Sequence, residues 1–472
     1  MDFNFSSTGR EVVVQSVLKQ LEEIYHAPRK ELRVSKTFHQ PEIESKARAF
    51  CFDKNNKAED VMRHVIDSIK NEAVNVTHPS YFGLFNPRPS FPSIMADVIN
   101  SYLNPQLAAW SHSPYASEVE RFVIKEFCNQ FGYVAGQQDG TFCTGGAESN
   151  LTAVICALNK SFPNYSEKGL LGISVLPTIY CSSESHHSIE KAARIVGLGK
   201  VAVRKVPVCD DLTIDVKALD SLIQADKLND CHPIMVVGTA GTTGAGAIDN
   251  LDLIAVVCRQ ERLWFHVDAA YGGGAIITDC KHLLSGIEHS DSITLDLHKW
   301  FSVPMATSLF LTSDTTILGH TFGVRTDYMP EDSDPDRVID PYIHSVQWSR
   351  RFIGLKIYLP LAIFGWNGYT SMLNHQIRMG HLMREQLERH GWNIVNQSEL
   401  PIICFTHPDF NNDNELVQQF IDEINNQGET WFSSYPIKGR LTLRAQIANY
   451  ETNSDDIVKF VKLVTGKLVE LK

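Results

Sequence analysis

Between residues 140 and 315, short apolar segments alternate with helical or loop segments. β-branched and aromatic side chains are frequent in the apolar segments, which predicts strands at 178–181, 201–206, 234–238, 263–267, 292–295 and 308–311. Strands that alternate with helices favour a mostly parallel sheet with helices on both faces, so the sequence predicts an α/β fold. Ligands bind such sheets at the carboxyl ends of the strands, which makes the residues after each strand the candidates for a functional site.

Outside this region the patterns differ. The predicted elements are helices between about 10 and 75, a loop rich in Pro, Gly and aromatic residues at 78–89, helices at 91–103 and 118–130, an acidic, proline-broken loop at 327–336, a long helix from about 350, and strands near 402–405 and 441–445. The N-terminal helices are apolar enough to need a covering surface, which a partner subunit or the rest of the chain can provide.

Composition excludes several classes of function. The chain has 472 residues, of which 43% are hydrophobic and 21% charged, as in a large globular protein. A net charge of -12 argues against nucleic acid as a partner. The chain has no run of 18 apolar residues and no signal-peptide pattern at its start, so we expect no membrane partner. Its ten cysteines include no Cys-x-x-Cys pair, which indicates reduced cysteines and a cytoplasmic location.

Lys299 closes the predicted strand that begins at Ser292. A lysine at the mouth of a buried strand is costly to keep charged, and a neutral amine can form a Schiff base with a carbonyl group. Most lysines in such a place are solvated and inert. The interpretation therefore depends on matching residues at the ends of other strands.

Asp268 ends the strand predicted at 263–267. A buried aspartate needs a cationic partner. Lys299 is one candidate, and a protonated heterocyclic nitrogen of a ligand is the other.

Two glycine-rich stretches are candidates for anion binding. Gly145, Gly146 and Ala147 begin a predicted helix whose free N–H groups and dipole favour an anion, although a simple glycine turn has the same appearance. The second stretch, at 238–246, follows a strand and contains Thr243, and a glycine-rich loop with hydroxyl groups either binds phosphate or permits a tight turn. Because no lysine follows it, it is not a Walker phosphate loop.

His186 follows the strand predicted at 178–181 and can reach a ligand at the sheet edge. A structural histidine and a metal ligand are the alternatives. His186 and His187 are adjacent and cannot easily bind one metal ion from a regular element, and no third ligand stands nearby, so we expect no metal site.

In combination, these residues describe a site for pyridoxal 5'-phosphate. This cofactor needs a lysine for a Schiff base, a site for its phosphate and an aspartate for its ring nitrogen, and an imidazole can stack on its ring. The aspartate keeps the pyridine ring protonated, so that the ring can accept electrons from a bond broken at the substrate's Cα.

With these motifs the sequence resembles the group II pyridoxal phosphate-dependent decarboxylases, which include aromatic L-amino acid, histidine, tyrosine and glutamate decarboxylases. The likeness extends from His78 to the C-terminal part. It implies fold type I of the cofactor's enzymes and a homodimer. It also implies an N-terminal helical dimerisation segment at 1–90, a large cofactor-binding domain at 91–355 and a small α+β C-terminal domain at 356–472.

The resemblance implies roles for individual residues. Lys299 matches the lysine that carries the cofactor, Asp268 the aspartate at the pyridine nitrogen, and His186, rather than His187, the ring-stacking histidine. Tyr328 matches the tyrosine of a mobile catalytic loop that protonates the substrate carbon after carbon dioxide leaves. The further cofactor-binding positions are Gly146, Ala147, Thr243, Ala270, Asp296 and His298, and Asp296 stands where several animal members carry asparagine.

The resemblance also implies substrate-binding positions, which are His78, Phe85, Asn86, Arg88, Gln106 and Arg444. Asn86 and Arg88 replace an aromatic and a small hydroxyl residue of the aromatic enzymes. Gln106 and Ala108 replace apolar contacts that the partner subunit would contribute. We therefore expect a more polar and basic pocket, which weakens the case for Dopa-like substrates and leaves acidic or other polar amino acids open.

The predicted function is conversion of an L-amino acid to its amine and carbon dioxide. An aldehyde-forming oxidative deaminase, an aminotransferase and a carbon–carbon lyase of the same fold are alternatives, as is a catalytically silent binding protein. The intact pair of Asp268 and Lys299 argues against the silent protein.

Overall fold

The computed structural model describes residues 5–27, 33–324 and 338–470. The described residues contain twelve strands, numbered in chain order: β1 (Tyr81–Phe82), β2 (Asp139–Cys143), β3 (Leu176–Ser182), β4 (Val203–Val206), β5 (Cys231–Thr239), β6 (Trp264–Asp268), β7 (Ser292–Asp296), β8 (Ser308–Thr312), β9 (Asn393–Ile394), β10 (Ile402–Thr406), β11 (Trp431–Ile437) and β12 (Arg440–Gln446). The same residues contain fifteen α-helices: α1 (Ser7–His26), α2 (Gln40–Ala47), α3 (Ala58–Asn71), α4 (Phe91–Leu103), α5 (Pro114–Gln130), α6 (Gly146–Ser161), α7 (Tyr165–Lys168), α8 (Ser188–Ile195), α9 (Val216–Leu228), α10 (Leu251–Glu261), α11 (Leu297–Trp300), α12 (Ile317–Phe322), α13 (Leu355–Arg389), α14 (Asn414–Gln427) and α15 (Ser454–Glu470).

The larger sheet has the strand order β2-β8-β7-β6-β5-β3-β4. The strands from β7 to β4 in this order are parallel, whereas β8 is antiparallel to both of its neighbours. Every residue of β6, β7 and β8 is buried, and helices α5, α6, α9 and α10 pack on the sheet. The α/β prediction is confirmed.

The six strands predicted for this sheet are all present, with ends that differ by up to three residues. The strand β2 was not predicted, because Asp139 and Gly140 have low strand propensity. Its pairing with β8, from Asp139 opposite Thr312 to Cys143 opposite Ser308, supplies the missing stabilisation.

The smaller sheet has the order β1-β11-β12-β10-β9, and its C-terminal strands are antiparallel. The strand β1 comes from the stretch predicted as a loop, and it pairs in parallel with β11, Tyr81 opposite Trp431. Two residues carry no strand pattern of their own, so the partner strand decides their conformation. The predicted domain boundaries at 90 and 355 stay predictions.

The N-terminal region contains three helices, of which α1 packs on α3. Both helices keep large apolar side chains exposed, including Leu18, Leu21, Val65 and Ile69. Across the described ranges, no helix is long and apolar enough to cross a membrane, and this includes α13, in which Gly365 interrupts the helical backbone.

Candidate active site

A cavity of about 320 Å³ lies where the carboxyl ends of β5, β6 and β7 meet the N-terminus of α6. The residues that line it include all of the predicted cofactor-binding positions, which are Gly146, Ala147, His186, Thr243, Asp268, Ala270, Asp296, His298 and Lys299. They come together because parallel strands end at one edge of the sheet.

Lys299 lies on the short helix α11, directly after β7. Its Nζ is 3.1 Å from Asp296 Oδ2 and 5.2 Å from the centroid of the Phe85 ring. From the sequence we expected an amine that is costly to keep charged. The structure instead provides a buried carboxylate that offsets this cost, and that carboxylate belongs to Asp296 rather than Asp268.

The Asp268 carboxylate is buried and accepts hydrogen bonds from two neighbours. Asn150 Nδ2 donates to Oδ2 at 2.9 Å, and Ala270 N donates to Oδ1 at 3.1 Å. Each carboxylate oxygen can accept a further hydrogen bond. Since Lys299 is paired with Asp296, the Asp268 carboxylate is available for a cationic group of a ligand.

The N-terminus of α6 forms one end of the cavity. Glu148 N donates a hydrogen bond to Gly145 O at 2.9 Å. In contrast, no described residue accepts a hydrogen bond from the N–H groups of Gly146 and Ala147. A Cβ atom at Gly146 would lie 2.8 Å from Asp296 Oδ2, so a larger residue here would displace the Asp296 carboxylate. The free N–H groups and the helix dipole favour an anion here.

Two histidines of the cavity are held in surroundings that favour the neutral ring. His186 Nδ1 lies 2.9 Å from Ser188 Oγ, and His298 Nδ1 lies 2.9 Å from Thr307 O. Burial lowers the pKa of His298. Desolvation by the surrounding protein also lowers the pKa of His186, although part of that side chain stays open to solvent. Among the described residues, no group of three or more His, Cys, Asp or Glu side chains is arranged to hold a metal ion.

Comparison with known proteins agrees with this arrangement. The family described as the pyridoxal-dependent decarboxylase conserved domain matches residues 41–407. The chain belongs to this family. It is 30% identical over 357 residues to an L-aspartate decarboxylase of Metarhizium robertsii, an alignment that covers 75% of this chain and 71% of the relative. It is 25% identical over 454 residues to an aromatic-L-amino-acid decarboxylase of Bacillus atrophaeus, with 93% and 91% covered. The crystal structure of Oryza sativa TDC with PLP and tryptamine has a TM-score of 0.93 at 21% identity, with 100% of both chains covered.

The decarboxylase therefore uses pyridoxal 5'-phosphate and converts an amino acid to its amine and carbon dioxide. The predictions of family, fold type, cofactor and reaction class are confirmed. The two relatives differ in the substrate that their names state, so the comparisons leave the amino acid open.

The residues of the cavity fit this cofactor chemically. Gly146 and Ala147 offer N–H groups to a phosphate, Asp268 offers a carboxylate to a protonated ring nitrogen, and Lys299 offers an amine to an aldehyde. Asp296 Oδ1 is buried and has no hydrogen-bond partner among the described residues, so a donor from a bound group would stabilise it. When bound, pyridoxal phosphate supplies the electron sink for the bond that breaks at the substrate's Cα.

The segment around β1 contributes an aromatic ring beside the cavity. Phe85 packs on Tyr271, a cavity residue, with ring centroids 4.4 Å apart. Asn86 Nδ2 lies 3.5 Å from the sulfur of Met305, which also lines the cavity. His78 is buried but is not one of the residues that line the cavity. The predicted substrate-binding roles of these residues stay predictions.

Arg88 is engaged within the protomer. Its Nη1 lies 3.3 Å from Glu451 Oε2, and its guanidinium carbon lies 4.0 Å from the centroid of the Tyr25 ring. The charge of Arg88 is thus compensated by a residue next to the small sheet. The predicted role of Arg88 toward a substrate stays a prediction, but its charge alone does not make the pocket basic.

Arg444 is buried on β12 and donates to three backbone carbonyls. Its Nε donates to Thr243 O at 3.1 Å and Gly244 O at 2.9 Å, and its Nη1 donates to Gly83 O at 2.9 Å. Tyr435 packs on the same loop so closely that a Cβ atom at Gly244 would lie 2.0 Å from its ring. Arg444 therefore joins the small sheet to two segments of the active site, and its predicted contact with substrate stays a prediction.

Two predicted positions lie away from the cavity or outside the described residues. Gln106 Oε1 accepts a hydrogen bond from Ala108 N at 2.8 Å within the same turn. Gln106 is not one of the residues that line the cavity. Tyr328 lies outside the described residues, so its predicted role stays a prediction.

The cavity also contains Gly145, Thr239 and Gly241, which belong to the two glycine-rich stretches, and four residues to which no role was assigned from the sequence: Thr144, Asn150, Tyr271 and Met305. Asn150 stands out because it is buried in α6 and donates to Asp268. It follows Gly146 by four residues and so lies on the same helix face. Its spacing from Gly146, which places an amide on the helix face that carries the anion site, was the available signal. Met305 lies in a loop without any motif, so no signal could have identified it.

Proposed function

We propose that this decarboxylase is a cytoplasmic homodimer that acts on an L-amino acid with an uncharged side chain, and that Lys299 carries its cofactor. The observation that carries the proposal is the convergence of Lys299, Asp268 and the α6 N-terminus on one cavity. These three features supply an amine, a buried carboxylate and an anion site within a single space.

In this proposal each residue has one task. Lys299 Nζ binds the cofactor covalently, Asp268 holds a proton on the pyridine nitrogen, and the first turn of α6 binds the phosphate. His186 would lie against the cofactor ring. Tyr328 gives a proton to the substrate's α-carbon after carbon dioxide has left. The remaining cofactor-binding positions are Thr243, Ala270, Asp296 and His298.

Two observations support an uncharged substrate side chain over an acidic one. Arg88 is paired with Glu451, and Arg444 donates to backbone carbonyls, so both guanidinium groups already have protein partners. Phe85 and Tyr271 present aromatic surface near Lys299. Because a buried carboxylate without a cationic partner is costly, an acidic side chain would bind here more weakly than an aromatic one.

The test is a panel of the twenty common L-amino acids with cofactor-loaded protein, in which carbon dioxide and amine are quantified for each. We expect the two products in equal amounts and the highest kcat/KM for an aromatic or other uncharged side chain. Lys299→Ala is the control and should release neither product.

Each contrary result addresses a different part of the proposal. The highest kcat/KM on aspartate or glutamate would overturn the side-chain class. If the protein forms aldehyde, ammonia and peroxide in place of the amine, the reaction is oxidative deamination and the proposed formation of an amine is wrong. Full activity in Lys299→Ala would overturn the assignment of that lysine.

The proposed dimer is supported by exposed apolar side chains on the helices of the N-terminal half. Leu18 on α1, Ile69 on α3, and Tyr102 and Leu103 at the end of α4 are all more than half exposed. Apolar side chains in such number favour a protein partner. Sedimentation should give twice the chain mass of 53.0 kDa, and the double change Leu18→Glu and Ile69→Glu should weaken the dimer. Leu228→Glu, on the exposed side of α9, is the control, and a wild-type monomer would refute the proposal.

The proposed cytoplasmic location is supported by the cysteines. All ten lie in the described residues as free thiols, and seven of them are buried. Free thiols in this number are typical of a reducing compartment. Fractionation of the source cells should recover the activity with cytoplasmic marker enzymes, and recovery in the secreted fraction would contradict the proposal.

A further inference from the structure

A continuous hydrogen-bond chain lies behind the cavity and ends at Asp268. Trp264 Nε1 donates to Ser292 Oγ at 2.8 Å, and Ser292 Oγ lies 2.8 Å from His266 Nδ1. His266 Nε2 lies 3.0 Å from Asn150 Oδ1, and Asn150 Nδ2 donates to Asp268 Oδ2 at 2.9 Å. All five side chains belong to residues that are at most 6% exposed, so water does not compete for these bonds.

A branch of the chain leads to His186. Asn150 Nδ2 also donates to Ser188 Oγ at 2.8 Å, and Ser188 Oγ lies 2.9 Å from His186 Nδ1. Asn150 therefore touches Asp268 directly and reaches His186 through one hydroxyl.

The direction of the first bonds follows from the protons that are available. An indole N–H can only donate, so Ser292 accepts from Trp264 and gives its own proton to His266 Nδ1. His266 then carries its proton on Nε2 and donates it to Asn150 Oδ1. Burial lowers the pKa of His266 to about 4, which agrees with a neutral ring that has one proton.

The neighbours of Asn150 decide the orientation of its amide. His266 Nε2 and Thr294 Oγ1, which is 2.8 Å away, both donate to Oδ1. The NH2 group consequently points to Asp268 and Ser188. A flipped amide would place its oxygen against the Asp268 carboxylate and its NH2 group against two donors, so only one orientation satisfies every partner.

Ser188 links Asn150 to His186 and decides which nitrogen of the His186 ring carries the proton. Because Ser188 Oγ accepts from Asn150, its single proton goes to His186 Nδ1, which also accepts Ser188 N at 3.2 Å. A ring nitrogen that accepts two hydrogen bonds carries no proton. The proton of neutral His186 is therefore on Nε2.

From this order we infer that Asn150 is a positioning residue of the decarboxylase, which holds the Asp268 carboxylate ready for the cofactor's ring nitrogen and sets the tautomer of His186. The inference rests on the proposed function, in which Asp268 and His186 contact the cofactor ring. Asn150 acts through these two residues, so its effect should appear first in cofactor affinity.

The first test compares Asn150→Ala with Asn159→Ala. Asn159 lies in the same helix, but its Nδ2 donates to Ile155 O and the residue does not line the cavity. The dissociation constant of pyridoxal phosphate is measured by titration of the apo-protein. We expect at least about tenfold weaker binding for Asn150→Ala, because a charge-assisted hydrogen bond to Asp268 is lost, and no change for Asn159→Ala.

The second test uses the pH dependence of Asn150→Asp, which keeps the size of the side chain. At low pH the introduced carboxyl is protonated and can still donate to Asp268. As the pH rises, two carboxylates meet, so the affinity relative to wild type should fall. A residue that only packs would show no such trend. The other charged or titratable groups around this position are shared with wild type, and they are His186, His266, Asp296 and Lys299.

Equal dissociation constants for Asn150→Ala and Asn159→Ala would overturn the inference. So would an affinity ratio between Asn150→Asp and wild type that stays constant across pH, and this result decides the matter even if the alanine variant does not fold. Wild-type protein that binds no pyridoxal phosphate, or that releases no carbon dioxide from any amino acid, would instead refute the proposed function.

Discussion

Replacing Asp268 with asparagine should weaken the binding of pyridoxal phosphate strongly while it preserves the shape of the cavity. The carboxylate accepts one hydrogen bond on each oxygen, from Asn150 and from Ala270 N. An amide at this position must turn its NH2 group toward one of these donors, and it has no negative charge for a protonated ring nitrogen. A hydrogen bond to a charged group contributes about 1.5–3 kcal/mol, which corresponds to a dissociation constant about 10- to 150-fold higher.

The assay is titration of the apo-protein with pyridoxal phosphate, followed by fluorescence and by the absorbance of the bound cofactor. Asp226→Asn is the matched control, because Asp226 is also buried in the large sheet region but bonds Tyr180 and Arg204 at the β3–β4 edge. It should lower stability and leave the dissociation constant unchanged. A constant for Asp268→Asn within about threefold of wild type would refute the reasoning, since this difference is less than 1 kcal/mol.

Three further predictions concern stability and product. Burial lowers the pKa of His266 from 6.5 to about 4, so between these two pH values only the unfolded chain takes up a proton at this residue. The free energy of unfolding should therefore fall by about 3 kcal/mol as the pH falls from 6.5 to 4. In urea unfolding measured across this pH range, His266→Gln should show a smaller fall. Glu120→Ala leaves Arg350 buried without its counter-ion and should cost about 3–5 kcal/mol in urea unfolding, whereas a loss below about 1 kcal/mol would show that Arg350 finds another partner. Tyr328→Phe should keep the cofactor bound but form aldehyde and peroxide under air, and an unchanged amine yield without aldehyde would show that the proton comes from elsewhere.

Local pattern alone was sufficient for the α/β class and for the edge of the sheet that carries the site. Strands that are buried on both faces are mostly apolar, so the apolar runs in β5 and β6 and the alternating Ile293 and Leu295 of β7 were visible without any knowledge of their partners. The polar residues that follow such strands necessarily meet at one edge. This is why Asp268 and Lys299 could be placed at one site from their positions alone.

The short strands depended on pairing between distant segments. Tyr81 and Phe82 have no periodicity that predicts a strand, and they are extended because β11 lies alongside them. The same holds for β2, whose Asp139 and Gly140 disfavour a strand in isolation.

The partners of the charged groups were decided by the tertiary structure. Sequence position suggested Asp268 as a partner for Lys299, but the ion pair is with Asp296. The sequence predicted that Arg88 makes the substrate pocket basic, but in the folded protein its charge is paired with Glu451. Spacing along a chain shows which residues share a sheet edge, whereas an ion pair or hydrogen bond depends on distances of about 3 Å between side chains from separate segments, which exist only once the whole core has packed.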